Sequence, residues 1–300
     1  MKSELPQRNN SVLSILKEKI CSEDTRIAWR LFISNPLGKV SLAIIVFLAV
    51  MALLAPVIAP YDPLKPDTKH RLEPPSLKHP FGTDQLGRDI LSRVIWGSRI
   101  SLSIALIAVA ITGSIGITIG IISGYFGGRI DNILMRITDM FMAFPRLVLA
   151  LAFAAALGPG IYNTIIAIAL VYWSFYARLA RGIALQVRNE QYIEAARAIG
   201  ASDPRIIFRH ILPMITAPLL VQITLDMGGM ILLASGLGFL GLGVQPPTPE
   251  WGVMVAEGRK YITHEWWVST FPGLFILIAT MGFNLAGDTL RDALDVRMRR

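Results

Sequence analysis

Three short stretches carry residue spacings that do chemistry in other proteins. "GLGFLG" at 236–241 has the glycine pattern of a dinucleotide loop, "LGKVS" at 37–41 has the Gly-Lys pair of a phosphate loop, and "HEWWV" at 264–268 opens like a zinc-protease helix. None completes its motif. The first is followed by "LGVQPPTPEW", whose prolines prevent the helix a pyrophosphate site needs. The second lacks the upstream glycine and the adjacent Ser or Thr, and the third has Val268 where the second histidine is required. Cys21 is the one cysteine, which forbids an intrachain disulfide and a cysteine metal cluster. The chain therefore offers no nucleotide site, metal site or cofactor site of its own, and it reads as a non-enzyme.

What remains is a set of charged residues in unusual places. Asp226 lies within an apolar stretch about twelve residues beyond Pro213, with Gln222 one helical turn earlier on the same side. Carboxylates at membrane depth are expensive and mark pathways or interior contacts, so Asp226 and Gln222 are candidates for a translocation path. The alternative is a structural carboxylate bonded to a neighbouring helix. Asp139 and Arg146, seven residues apart, would share one helix face, with Pro145 able to bend the helix between them. That pairing reads as anchoring rather than substrate contact. His70 and His79 suit a metal such as nickel in kind. Nine residues apart in a Pro-rich, charged stretch, they read as solvated loop histidines.

The elements that must position these residues are helices in lipid. The 300-residue chain is 53% hydrophobic yet carries a formal charge of +8. Runs at 40–61, 100–128, 147–177, 227–249 and 266–287 contain no Asp, Glu, Lys or Arg. A spanning helix needs about 20 apolar residues, and lipid favours helices because backbone groups must be satisfied internally. The spacing predicts six spans near 40–59, 100–123, 135–157, 161–182, 213–235 and 268–288. It divides the chain into an N-terminal segment 1–39, a first transmembrane helix 40–59, an outer loop 60–99, a five-helix core 100–290 and a tail 291–300. No early apolar core marks a cleaved signal peptide.

With the N-terminus inside, nineteen Lys and Arg residues fall on the cytoplasmic side and nine outside. This asymmetry puts both termini in the cytoplasm of a multi-pass protein of the cell membrane. It also explains the basic excess as topology, with no need for nucleic acid. "RIAWRLFISN" at 26–35 reads as an interfacial helix with Trp29, Phe32 and Ile33 towards lipid, or as a plain lead-in to the first span. Gly116, Gly120 and Gly124 form a small-residue stripe for close helix packing.

One polar interruption then stands out, "QYIEAARAIGASDPRIIFRHILP" at 191–213. Residues 190–199 favour a helix, Gly200 suits the left-handed position past its end, Asp203 can cap a second helix with Pro204 in its first turn, and Pro213 marks the start of the fifth span. A structured cytoplasmic loop at 183–212 reads as a docking surface.

Its residues resemble the EAA loop of permease subunits in ATP-binding-cassette importers. Glu194, Ala195, Ala196, Gly200, Leu212 and Pro213 match that pattern, and His210 stands where it often has Ile. "HPFGTDQLGRDILSRVIWGSRISL" at 79–102, "FLGLGVQPPTPEWG" at 239–252 and "FNLAGDTLRDALDVR" at 283–297 resemble further blocks of the peptide and nickel permeases of this class. The resemblance implies an all-α, six-helix type I importer permease fold. It implies that Glu194, Ala195, Ala196, Gly200, Asp203 and Pro213 couple the chain to separate ATPases, which would hold the ATP and Mg. The implied partners are a second, different permease, two ATPase subunits, an extracytoplasmic substrate-binding protein and membrane lipid. The substrate implied is a di- or oligopeptide, with nickel or a metal chelate as the alternative. A channel or gradient-driven transporter is the rival from another class, and it would work without the EAA loop.

Overall fold

In the computed structural model the described residues are 23–298, with side-chain surroundings described for 26–294. Cys21 and the basic residues before it, and the tail arginines beyond, lie outside them. The described residues are almost wholly helical, with one isolated bridge between Thr83 and Asp89.

The chain runs through α1 (Glu23–Ser34), α2 (Pro36–Leu53), α3 (Ala55–Ile58), α4 (Ile90–Phe126), α5 (Gly128–Met142), α6 (Arg146–Leu157) and α7 (Ile161–Arg188). It continues through α8 (Gln191–Ala198), α9 (Asp203–Ile206), α10 (Leu212–Phe239), α11 (Trp251–Gly258) and α12 (Trp267–Met298). Five helices are long and apolar enough to cross a membrane, and α5 with α6 makes a sixth if the bent pair counts as one span. Phe32 does not face lipid: it is buried with Ala286 and Ala293 of α12, while Trp29 stays exposed and stacks on it at 5.8 Å.

The second long helix starts at Ile90 rather than near 100. Hydropathy ends the span at Arg93 and Arg99, but Arg93 is buried and paired inside the protein. Asp84 Oδ2 accepts from Arg88 Nε at 2.6 Å and from Arg93 Nη1 at 2.5 Å, and Glu257 of α11 accepts from Arg93 Nη2 at 2.9 Å. Asp89 caps the helix by accepting from the Ser92 backbone N–H at 2.7 Å. His79 is likewise not solvated. It is buried with Nδ1 3.0 Å from Asp89, whereas His70 pairs with Asp67 at the surface.

Asp139 and Arg146 do not share a helix face. The α5 helix ends at Met142, and α6 leaves it at 92°. The cause is Pro145, which lacks an N–H and disfavours helical geometry at Phe144 before it. Asp139 instead pairs with Arg178 of α7. The glycine stripe does pack as expected. A Cβ on Gly116, Gly120 or Gly124 would meet α7 backbone oxygens at 2.5, 2.3 and 2.7 Å.

Candidate functional site: the polar loop between α7 and α10

The α8 helix is short and polar, so its stability comes from one buried side chain and from how it ends. Ile193 is fully buried and joins Ile206, Ile211 and Ile215 against Tyr125, Ala180, Ala184 and Val187 near the C-terminal ends of α4 and α7. The helix closes with Ala201 N–H donating to the Ala196 carbonyl at 3.0 Å and Gly200 N–H to Arg197 at 2.9 Å. That double closure needs a left-handed residue, and Gly200 has φ +83°.

Anchored underneath by isoleucines, the loop turns its other face outward. Glu194, Ala195 and Arg197 are exposed, as are the apolar Ile199 and Phe208. These exposed apolar side chains beside the polar turn are a feature the residue pattern alone did not single out.

Two details differ from the expectation. Ser202 occupies the cap position of α9 and makes no side-chain cap bond, while Asp203 is the first helical residue. Its carboxylate is taken by α4: Tyr125 Oη donates to Asp203 Oδ1 at 2.6 Å, and the Arg197 guanidinium lies over the Tyr125 ring at 5.4 Å. Tyr125 thus ties the loop to the end of α4. Nothing in its local pattern marks it, since its partner is 78 residues away.

Pro213 does not begin a separate span either. The second helix runs unbroken over Asp203–Phe239, with a π turn at Ile207–Ile211. A wider turn accommodates a proline that supplies no N–H and crowds the carbonyl four residues before it.

Within α10, Asp226 is buried and accepts from Gln222 Nε2 at 2.9 Å. The loop and this carboxylate are therefore far apart along one continuous helix, and no side chain brings them together. Among the described residues there is no group of three or more His, Cys, Asp or Glu that could hold a metal.

A helical membrane subunit with a rigidly anchored helix-turn-helix between two long apolar helices is the permease class of ATP-binding-cassette importers. The chain belongs to the family described as the binding-protein-dependent transport system inner membrane component, whose pattern matches residues 116–300. Residues 25–75 match the N-terminal TM domain of oligopeptide transport permease C. It is 49% identical over 270 residues, covering 90% of each chain, to the probable D,D-dipeptide transport system permease protein DdpC of Escherichia coli (strain K12). It is 45% identical over 277 residues, 90% of this chain and 91% of the other, to the di/tripeptide transport system permease protein DppC of Pseudomonas aeruginosa (strain UCBPP-PA14). Among solved structures, a chain of the inward-facing MetNI methionine ABC transporter superposes with a TM-score of 0.56 at 19% identity, covering 68% of this chain and 97% of that one. The fold is that of a type I importer permease.

Proposed function

We propose that this chain is one of two different permease subunits of a peptide importer, moved by separate ATPases and supplied by an extracytoplasmic binding protein. Both termini and the loop at 183–212 face the cytoplasm in this reading. Residues Glu194, Ala195, Ala196, Gly200, Asp203 and Pro213 form or support the surface that an ATPase grips. ATP and Mg belong to those ATPases. Closure of the ATPase pair pushes on α8, and Tyr125 with the buried isoleucines passes that motion to α4, α7 and α10.

The observation that carries the coupling role is the loop's two-sided build, locked beneath by Ile193 and Ile206 and exposed above at Glu194, Ile199 and Phe208. The peptide substrate is supported by relatives whose names specify dipeptides and tripeptides and which cover nine-tenths of this chain.

Gly200→Val provides the test. No atom lies within 4 Å of a Cβ built there, so the effect is one of backbone conformation rather than collision. Holding a non-glycine residue left-handed costs roughly 1–2 kcal/mol, more for a branched one. The variant should insert and pair with the second permease, yet retain roughly tenfold less ATPase, since each 1.4 kcal/mol is tenfold in affinity. Gly200→Asn, which tolerates this geometry, should be milder. The readouts are subunit co-purification and hydrolysis stimulated by the loaded binding protein. Full retention and full stimulation in Gly200→Val would remove this loop as the coupling element.

A further inference from the structure

The carboxylate of Asp226 is placed where a charge is hardest to keep. It lies fourteen residues into α10, roughly 20 Å from the start of that helix at 1.5 Å per residue, and the residue is only 6% exposed. Its hydrogen-bond donor is the neutral amide of Gln222, not a cation. Beside it sits the hydroxyl of Tyr176 on α7, a residue with no exposed surface. That hydroxyl is buried and directed at the Asp226 carboxylate. Here a carboxylate and a phenol face each other inside an apolar bundle.

The counter-charge stands nearby on a different helix. The break at Pro145 that separates α5 from α6 delivers Arg146 onto α7, where its guanidinium lies over Tyr172 at 5.1 Å and Phe175 at 5.0 Å. A guanidinium over aromatic rings still offers N–H donors at its edge, and these suit a carboxylate. The nearby Asp139 is engaged by Arg178. Tyr172 links the two charges. Arg146 covers its ring, while its hydroxyl reaches the turn that carries Asp226, lying 3.2 Å from where a Cβ on Gly229 would stand. Tyr172 thus has a positive group over its ring and, at its hydroxyl, the helical turn that carries Asp226.

We propose that Asp226 and Arg146 form a subsite at membrane depth for the two charged ends of a short peptide. The Asp226 carboxylate and Tyr176 hydroxyl take the α-ammonium, and the Arg146 guanidinium takes the α-carboxylate. An ammonium offers three donors, and this corner supplies carboxylate, phenol and amide oxygens to accept them. A dipeptide spans roughly 7 Å between its ends, the scale of one tyrosine. The oxygen donors here are also poor ligands for nickel, which prefers imidazole and other nitrogen donors. This inference rests on the peptide-importer reading and gives it a site in this chain.

The test uses the whole reconstituted importer, with both permeases, ATPases and a binding protein saturated with peptide so that its own selectivity drops out. Three peptides are compared: a free dipeptide, its N-acetyl form and its C-terminal amide. Asp226→Asn should lower uptake of the free dipeptide and of the amide at least tenfold while changing the N-acetyl form less than twofold. Arg146→Gln should lower the free and N-acetyl forms and spare the amide. Tyr176→Phe should repeat the Asp226→Asn pattern at roughly threefold, and Asp226→Glu should recover much of the free-dipeptide rate. If each variant depresses all three peptides by one common factor, or leaves all three unchanged, the residues hold the bundle together and the subsite is wrong. If the unaltered importer takes up none of the peptides, the peptide reading itself fails.

Discussion

Replacing Gly120 with valine should abolish the assembled importer, because the α4–α7 contact has no space for a Cβ. Any side chain there would stand 2.3 Å from the Ala177 carbonyl oxygen and 2.7 Å from the Ala180 Cβ. The first neighbour is helix backbone, which cannot swing aside as a side-chain tip would. Overpacking commonly costs 1–3 kcal/mol, and a backbone collision belongs at or beyond the upper end, about 3 kcal/mol. The α7 helix leads directly into the polar loop, so a splayed pair would also misplace α8. Co-purification of the ATPases should fall to a few per cent of the normal yield. Gly120→Ala should already show a clear loss. Gly113→Ala on the same helix, whose nearest neighbour is the Ile117 Cδ1 at 3.9 Å, should be neutral or slightly stabilising through helix propensity. Equal behaviour of the two alanine variants would show that close approach of α4 and α7 is not what holds this face.

The second large effect is expected at the N-terminal end of the same helix. Asp84→Ala would leave Arg88 and Arg93 buried, each 2% exposed or less, without their shared carboxylate. Glu257 would remain as their acceptor, at 2.9 Å from Arg93 and 3.3 Å from Arg88. Removing one partner from a buried ionic network typically costs about 3–5 kcal/mol, since the surviving charges keep their desolvation penalty. The purified complex should therefore melt at a lower temperature, with the 82–89 turn held to α11 through Arg88 and Glu257 alone. Asp62→Ala in the same connecting segment, an exposed residue whose carboxylate accepts from Leu64 N–H, should change the midpoint little. A midpoint for Asp84→Ala equal to that of Asp62→Ala would show that the two arginines find other acceptors.

The residues placed differently from expectation are those whose partners lie outside their own helical turn, from 9 to 164 residues along the chain. Arg93 looks like the end of a hydrophobic span when judged by its neighbours, yet it lies inside a helix that begins at Ile90 because Asp84 and Glu257 neutralise it. His79 looks like a solvated loop residue, and it is buried against Asp89. Asp203 has the type and position of a helix cap, but Tyr125 claims its carboxylate. In each case local propensity was overruled by a hydrogen bond or ion pair formed only after folding. Pro145 is the opposite case: its consequence is local, but the pattern could suggest only a bend, whereas the observed break is 92°.

Several features needed no tertiary information, because their physics is confined to a few neighbouring residues. Charge-free runs long enough to cross lipid dictate helices, and the Gly116, Gly120 and Gly124 stripe dictates a face that must be approached closely. The left-handed turn at Gly200 follows from a polar helix meeting a residue without a Cβ. Tertiary structure alone decided which helix fills the glycine stripe, which residue holds Asp203, and that Arg146 comes to rest on Tyr172. Spans and turns are short-range consequences of hydropathy and backbone sterics. The pairing of charges between helices depends on a packing geometry that no single segment contains.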